Sequence, residues 1–423
     1  MHRIYSFILL CCLILSFFTA CTTGAHEIDD WAYVSSIGID KGISDALRFT
    51  FQIPTLKKGS GEGGGGSSSQ GKIDTSVMSI DAPTFYAAVN SINTSLSRTL
   101  DFSHAKYVVV GEKQAREGVS KIVNSIIRSS QVRRISHFII AKGSASEFIK
   151  ALNPVLGTSL SRTQELLMSQ EDLTGLFDDI SYDQFSIGMK NSYSDPAAAL
   201  VAVNDFSNYK ESGTPPNSFK SGGEYIAGEL PRSGGNKYEF FGSAIFDGDK
   251  MVGELNGNET RAMRMARGDY KTGAMAIADP EDPKLRITCN ISQMRDPDIK
   301  ITFNDGKPVI NLKIFLEGDL LNIQSTNEYE NPKIKPILEN AYETYIKDLL
   351  DKTIDKCKRL NCDVFNFGQT AAMHFLTIPE WKSYNWLSHF KNAEVNTEVQ
   401  YTIRRTGTLM KTSPTQTSEG EEK

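Results

Sequence analysis

The chain of 423 residues is poor in cysteine. It has six, and Cys11, Cys12 and Cys21 all fall near the start. Cys289, Cys357 and Cys362 are too few and too unevenly spaced for the disulfide framework of a small secreted domain. Cys357 and Cys362 form a C-x4-C pair at a predicted helix end, open to a local disulfide or to two plain thiols. A zinc site needs about four ligands, and nothing near this pair completes one. The six histidines (His2, His26, His104, His137, His374 and His389) show no H-E-x-x-H or comparable spacing. No metal or cofactor is therefore expected. Basic residues are not in excess: 46 Lys and Arg face 51 Asp and Glu, for a net charge of −5. That balance argues against nucleic acid, and no basic run marks a polybasic membrane patch. After residue 21 no stretch nears the roughly 20 apolar residues of a spanning helix. No internal repeat is evident.

What is present begins at the N-terminus. Arg3 precedes an apolar run from Ile8 to Phe18, the layout of a secretory signal. The run ends in Phe18-Thr19-Ala20-Cys21. A lipoprotein signal closes on an aliphatic residue, two small residues and a cysteine. Thr19, Ala20 and Cys21 fit, and Phe18 departs. By itself the stretch leaves three readings open: an uncleaved anchor, a plain thiol, or a mature N-terminal cysteine carrying lipid. In the last, residues 1–20 are the signal peptide and 21–29 a tether. Two or more acyl chains on Cys21 would anchor stably where one gives marginal binding.

The rest reads as a multidomain mixed α/β or α+β protein, a soluble ectodomain with mixed sheets and packed helices. "WAYVSSIGID" and "LRFTFQIPTL" have strand composition. The Gly/Ser tract at 59–71 reads as a disordered hairpin tip. Phe85, Val89, Ile92 and Leu96 recur at helical spacing, as do Ala115, Val119, Ile122, Val123, Ile126 and Ile127. "KYVVVG" and "HFIIA" are continuous apolar runs, the pattern of strands covered on both faces. Ser144 to Glu147 reads as a capping box. An N-terminal domain over 30–204 follows, then a polar linker or exposed loop at 205–237. A C-terminal α+β domain is expected over 238–405, as one unit or as two subdomains. It opens on a hairpin turning at Asp247-Gly248, with a second at Asp305-Gly306. A long helix starts at Asn331-Pro332, with Ile334, Leu338, Ala341, Tyr345, Leu349 and Ile354 inward. "EVNTEVQYTIRRTG" closes the domain as a strand, and 406–423 read as a disordered tail.

Few residues invite chemistry. Gly59, Gly61 and Gly64 match G-x-G-x-x-G, but a strand follows where the dinucleotide fingerprint needs a helix. Gly66 to Lys72 spells the start of a P-loop, but Ile73 stands where Ser or Thr must hold magnesium. His104 lacks partners for general-base work and reads as a structural histidine at a strand start. Asp178-Asp179 reads as solvated loop acids rather than a glycosidase pair. "RRISH" (Arg133–His137) reads as surface charge pairing. Trp381 and Trp386 suggest core and edge packing on one helix. The residues alone describe a lipid-anchored, non-catalytic protein.

Several stretches together resemble the Ger(x)C lipoproteins, C subunits of spore nutrient-germinant receptors. They are "EIDDWAYVSSIGIDKG", "LSRTLDFSHAKYVVVGEKQAREG", "FFGSAIFDGDKMVGELNGNETR", and then "DVFNFG", "PEWKSYNW" and "YTIRRTG". They run in order from about residue 27 to 407. The tether lacks the Trp-Asp start common in the family. The resemblance implies a non-catalytic subunit held by Cys21 on the outer leaflet of the inner spore membrane. It implies assembly with an integral membrane A subunit and a permease-like B subunit, no cofactor, and a fold of several mixed α/β domains. A lipid-anchored extracytoplasmic solute-binding protein is the alternative. It predicts two α/β lobes around a polar cleft.

Overall fold

The computed structural model describes residues 4–5, 30–55, 74–154, 159–213, 220–407, 416–418 and 420–421. Cys21, the Gly/Ser tract at 59–71 and most of the tail lie outside them.

The chain enters through β1 (Trp31–Tyr33), which pairs in parallel with β5 (Thr99–Asp101). It turns at Val34 and Ser35 into an eight-stranded mixed sheet. In sequence order the strands are β2 (Ser36–Lys41), β3 (Leu47–Thr55), β4 (Asp74–Ala82), β6 (Tyr107–Gly111), β7 (His137–Ala141), β8 (Ala197–Val203), β9 (Tyr238–Asp247) and β10 (Lys250–Leu255). In space they run β10-β9-β8-β7-β6-β2-β3-β4. The central β2, β6, β7 and β8 are parallel, and antiparallel strands finish both edges.

The apolar runs of β6 and β7 work as their composition predicts. Val108, Val110, Phe138 and Ile140 pack with helices α1 (Phe85–Asn93), α3 (Ser120–Ile126) and α7 (Tyr182–Gly188). Tyr107, Val109, Ile139 and Ala141 pack on the other face with α4 (Ala145–Ala151) and α5 (Leu160–Met168). The short α6 (Gln170–Thr174) follows directly after α5.

Three local expectations are corrected. The helix expected from Ala115 to Ile127 is two, α2 (Glu112–Glu117) and α3, broken at Gly118 with φ +127°. Ser144 does not cap α4. The Asp40 carboxylate does so from β2, accepting the Ala145 and Ser146 N–H groups at 2.8 and 3.0 Å. The long helix α9 (Lys335–Leu360) starts after Asn331-Pro332, with Pro336 in its first turn.

The boundary expected at 205–237 falls within the large sheet. The β9–β10 hairpin was expected to open the C-terminal domain, but β9 hydrogen-bonds to β8. The described part of 205–237 is docked rather than free: Ala227 is buried, and its N–H donates to Phe241 O at 3.0 Å. A second sheet has the order β11 (Thr272–Ala278), β12 (Arg286–Ser292), β14 (Lys307–Ile323), β13 (Asp298–Asn304), with β15 (Glu394–Arg405) parallel to β14. The Asp305-Gly306 hairpin forms as expected, both residues at positive φ. Helix α9 packs on this sheet through Leu338, Tyr342, Ile346 and Leu350. A module of three short helices, α10 (Phe367–Ala372), α11 (Ile378–Tyr384) and α12 (Trp386–Phe390), closes the fold.

Candidate functional site: a buried polar seam

Helix α8 (Gly257–Arg267) follows the large sheet directly and is fixed at both ends. Asn256 and Glu259 form a capping box, and Gly268 ends the helix at φ +85°. Arg261, Arg264 and Arg267 recur every three residues and so share a face. That face is turned inward, toward residues 171–179. Arg261 Nε donates to Thr174 O at 2.8 Å, Arg264 pairs with Glu171 at 3.0 Å, and Arg267 Nη1 donates to Asp178 at 3.1 Å. Burial works against the Arg267 charge, but Asp178 and Asp269 outweigh it and hold its pKa above the ordinary value. Burial pushes the Glu171 carboxyl up to about 7, against the pull of Arg264.

The second half of the seam is built on Asp363, fully buried in the turn after α9. Its carboxylate accepts the N–H groups of Phe365, Phe367 and Gly368 at 3.1, 3.4 and 3.0 Å, and the Trp386 indole N–H at 2.8 Å. Burial raises its pKa to about 6. Asp195, in the run-in to β8, accepts the Asp363 N–H at 3.0 Å and the Gly248 N–H at 3.1 Å. Burial raises it to about 7. Trp381 donates from its indole to Ser192 at 2.9 Å and stacks on Tyr193. One strand run-in, the β9–β10 turn and the helical module thus meet at buried carboxylates. Beside them lies an open cleft of about 340 Å³, walled by Asp179, Gln184, Ile187, Asn366 and Gln369.

The residues singled out in the sequence fall as follows. His104 is exposed and sits edge-on to Tyr33 at 5.0 Å. His137 contacts Asp179 at 2.7 Å. Asp178 is not a solvated loop acid, because it is buried against Arg267. Arg134 pairs on the surface with Asp183 at 3.7 Å. Cys357 and Cys362 are free and buried, and the Cys362 thiol donates to Cys357 O at 3.7 Å. Trp381 and Trp386 are both buried, on two helices separated at Asn385 with φ +53°.

Sequence reading missed Asp195, Asp363 and the arginine face. The i, i+3, i+6 arginines of "RAMRMAR" were the available signal. Among the described residues no group of three or more His, Cys, Asp or Glu could hold a metal ion. The seam's carboxylates are committed to backbone N–H groups, an indole and guanidinium groups. Such an arrangement fixes the relative placement of elements far apart in sequence.

The comparisons follow this architecture along the chain. Residues 24–203 match the model described as spore germination protein N-terminal domain. Residues 241–407 match the one described as spore germination B3/GerAC like, C-terminal. The chain belongs to the Ger(x)C family. Among relatives in Bacillus subtilis (strain 168), the protein YfkR is 25% identical over 96% of both chains. Spore germination protein KC is 22% identical over 90% of this chain and 91% of its own. Spore germination protein B3 is 23% identical over 77% and 79%. The crystal structure of the GerBC protein has the same fold, with a TM-score of 0.51 and 17% identity, over 87% of this chain and 96% of that one. The C-terminal Ger(x)C match begins inside β9, so the division between the two family models runs through the large sheet.

Proposed function

We propose that this Ger(x)C protein is the lipid-anchored C subunit of a nutrient-germinant receptor. In this reading Cys21 carries the lipid on the outer leaflet of the inner spore membrane. The subunit acts without catalysis, by contact with an integral membrane A subunit and a permease-like B subunit. The observation that carries the reading is the colinear match to spore germination proteins along nearly the whole chain. The buried seam suits a scaffold, since it spends its charged groups on rigidity. Anchoring would raise the effective concentration of the domain for membrane partners, so weak contacts would suffice. The experiment is gene deletion. Nutrient-triggered germination should slow, chelate-triggered germination should stay intact, and a Cys21→Ala copy should fail to restore membrane fractionation. A normal nutrient response in a strain lacking paralogous receptors overturns the reading.

A further inference from the structure

The parallel strands start at one end of the large sheet. Ser36 pairs in register with Tyr107, and Tyr107 with His137. The chain arrives at this end through β1. The loop before β7 lies here too, with Arg133, Arg134 and Ile135 exposed, Ile135 to 71%. The helical module packs against residues 192–195, the run-in to β8, and so also lies beyond this end.

The module carries an unusual loop. Met373, Leu376 and Ile378 are 80%, 95% and 66% exposed. The backbone that presents them is held firmly. Phe375 packs on Phe303, Trp381 and Tyr384, with ring centroids 5.2–5.6 Å apart. The Glu380 carboxylate accepts the N–H groups of Leu376 and Thr377 at 3.1 and 3.3 Å. Lys382 is exposed one turn further on. Arg134 is 68% exposed, and its contact with Asp183 is long at 3.7 Å.

Anchored loops with bare apolar tips and exposed cationic groups have the composition of a surface that sits in the headgroup layer of an anionic membrane. A protein partner would ask for a broad complementary patch of about 800 Å² per side. A leucine exposed to 95% protrudes instead, which suits insertion between lipids. The charge pattern was not legible as a basic run, because Lys382 lies far from Arg133 and Arg134 in sequence.

We propose that this end of the sheet contacts the membrane. Leu376, Ile378 and Ile135 enter the outer leaflet of an anionic bilayer, while Arg133, Arg134 and Lys382 meet its phosphates. The inference rests on the reading that Cys21 is lipidated. Ten residues from Cys21 to Trp31 reach at most roughly 35 Å. The strand starts from β2 to β8 span roughly 15 Å. Anchor and loops can therefore reach one bilayer surface together.

The test uses the full chain reconstituted in vesicles of phosphatidylglycerol with phosphatidylcholine, or of phosphatidylcholine alone. Leu376→Trp, Ile135→Trp and Ile43→Trp each add one tryptophan, the last in the exposed β2–β3 turn at the opposite end of the sheet. Spin-labelled lipid should quench the added emission at 376 and 135 about twofold or more beyond that at 43. The difference should shrink in phosphatidylcholine alone and at high salt, where the cationic contribution is screened. Equal quenching at all three positions overturns the proposal. Protection that appears only when a membrane protein partner is added also overturns it, and makes the face a protein-docking surface. Flotation of the same vesicles reports the anchor separately. Retention without differential quenching sinks this inference and leaves the anchor standing. Loss of retention sinks the anchor, and the quenching of chains that do meet added anionic vesicles still decides the face.

Discussion

Asp195 and Asp363 clasp each other through two hydrogen bonds, one to a side chain and one between backbones. The Asp363 N–H donates to the Asp195 carboxylate at 3.0 Å, and the Asp195 N–H donates to the Asp363 carbonyl at 2.8 Å. The two residues lie 168 positions apart in the chain. Neither carboxylate touches a cation, so burial dominates both pKa values, raising them to about 7 and about 6.

A pH dependence follows from that sign. A carboxyl whose folded pKa is raised adds stability that is full below its unfolded value and is lost as pH climbs through the folded one. For this pair the loss runs from about pH 4 to about pH 7, and the shifts correspond to several kcal/mol together, at roughly 1.4 kcal/mol per unit. Glu171, raised to about 7, acts in the same sense. Urea unfolding at pH 5 and pH 8 should give the lower stability at pH 8. Asp195→Asn should flatten the difference. A stability that rises over this interval would show that the carboxyls are not desolvated as described.

Trp386 should prove a structural tryptophan. Its indole N–H serves the buried Asp363 carboxylate, which also gathers three backbone N–H groups. Trp386→Phe keeps most of the apolar volume and removes one donor, a loss of about 1–3 kcal/mol. Asp363→Ala strands all the donors at once and should cost more. Denaturant unfolding of the two variants checks the order. If Asp363→Ala is the milder change, the carboxylate is not the hub of the module.

Much of the large sheet was legible before the structure. The runs "YVVVG" and "HFIIA" alternate between two helical layers, as strands buried on both faces must. What stayed hidden depended on partners distant in sequence. Asp40 displaces Ser144 as the cap of α4 across more than a hundred residues. Gly118 divides a continuous apolar stripe, and the Val119 N–H beyond it is taken by Asp249 O, a long-range bond that no periodicity announces. The polar segment before β9 looked like a linker because its hydrogen-bond partners lie on strands elsewhere. Of the seam, the two tryptophans and Asp178 were singled out, but Asp178 read as a solvated loop acid and the carboxylate that orients Trp386 was not seen.

Gly368 is a sharp steric test of the module's docking. A Cβ built there would lie 2.1 Å from the Tyr193 carbonyl and 2.6 Å from the Trp386 ring. Backbone and a buried indole cannot yield cheaply, so Gly368→Ala should push α10 away from the run-in to β8. The expected result is a loss of stability of about 1–3 kcal/mol, the range for overpacked cores, with a red-shifted tryptophan emission. An unchanged stability would mean that the close approach does not hold the module.

The Arg267–Asp178 pair distinguishes placement from net stability. Arg267 comes from α8 and Asp178 from the segment before α7, and both are largely buried. Arg267→Met alone leaves a carboxylate without its cation in a dry site, which costs about 3–5 kcal/mol. Asp178→Leu alone should cost less, because Asp269 at 2.6 Å still answers the guanidinium and is half in water. The double variant Arg267→Met/Asp178→Leu replaces the pair by apolar volume and should recover most of the loss, since such exchanges are often close to neutral. A double-mutant cycle in urea reads the coupling directly. Near-zero coupling would make the contact incidental. If the double variant regains stability but limited proteolysis cuts faster between residues 171 and 179, the pair serves to place that segment rather than to stabilise the fold.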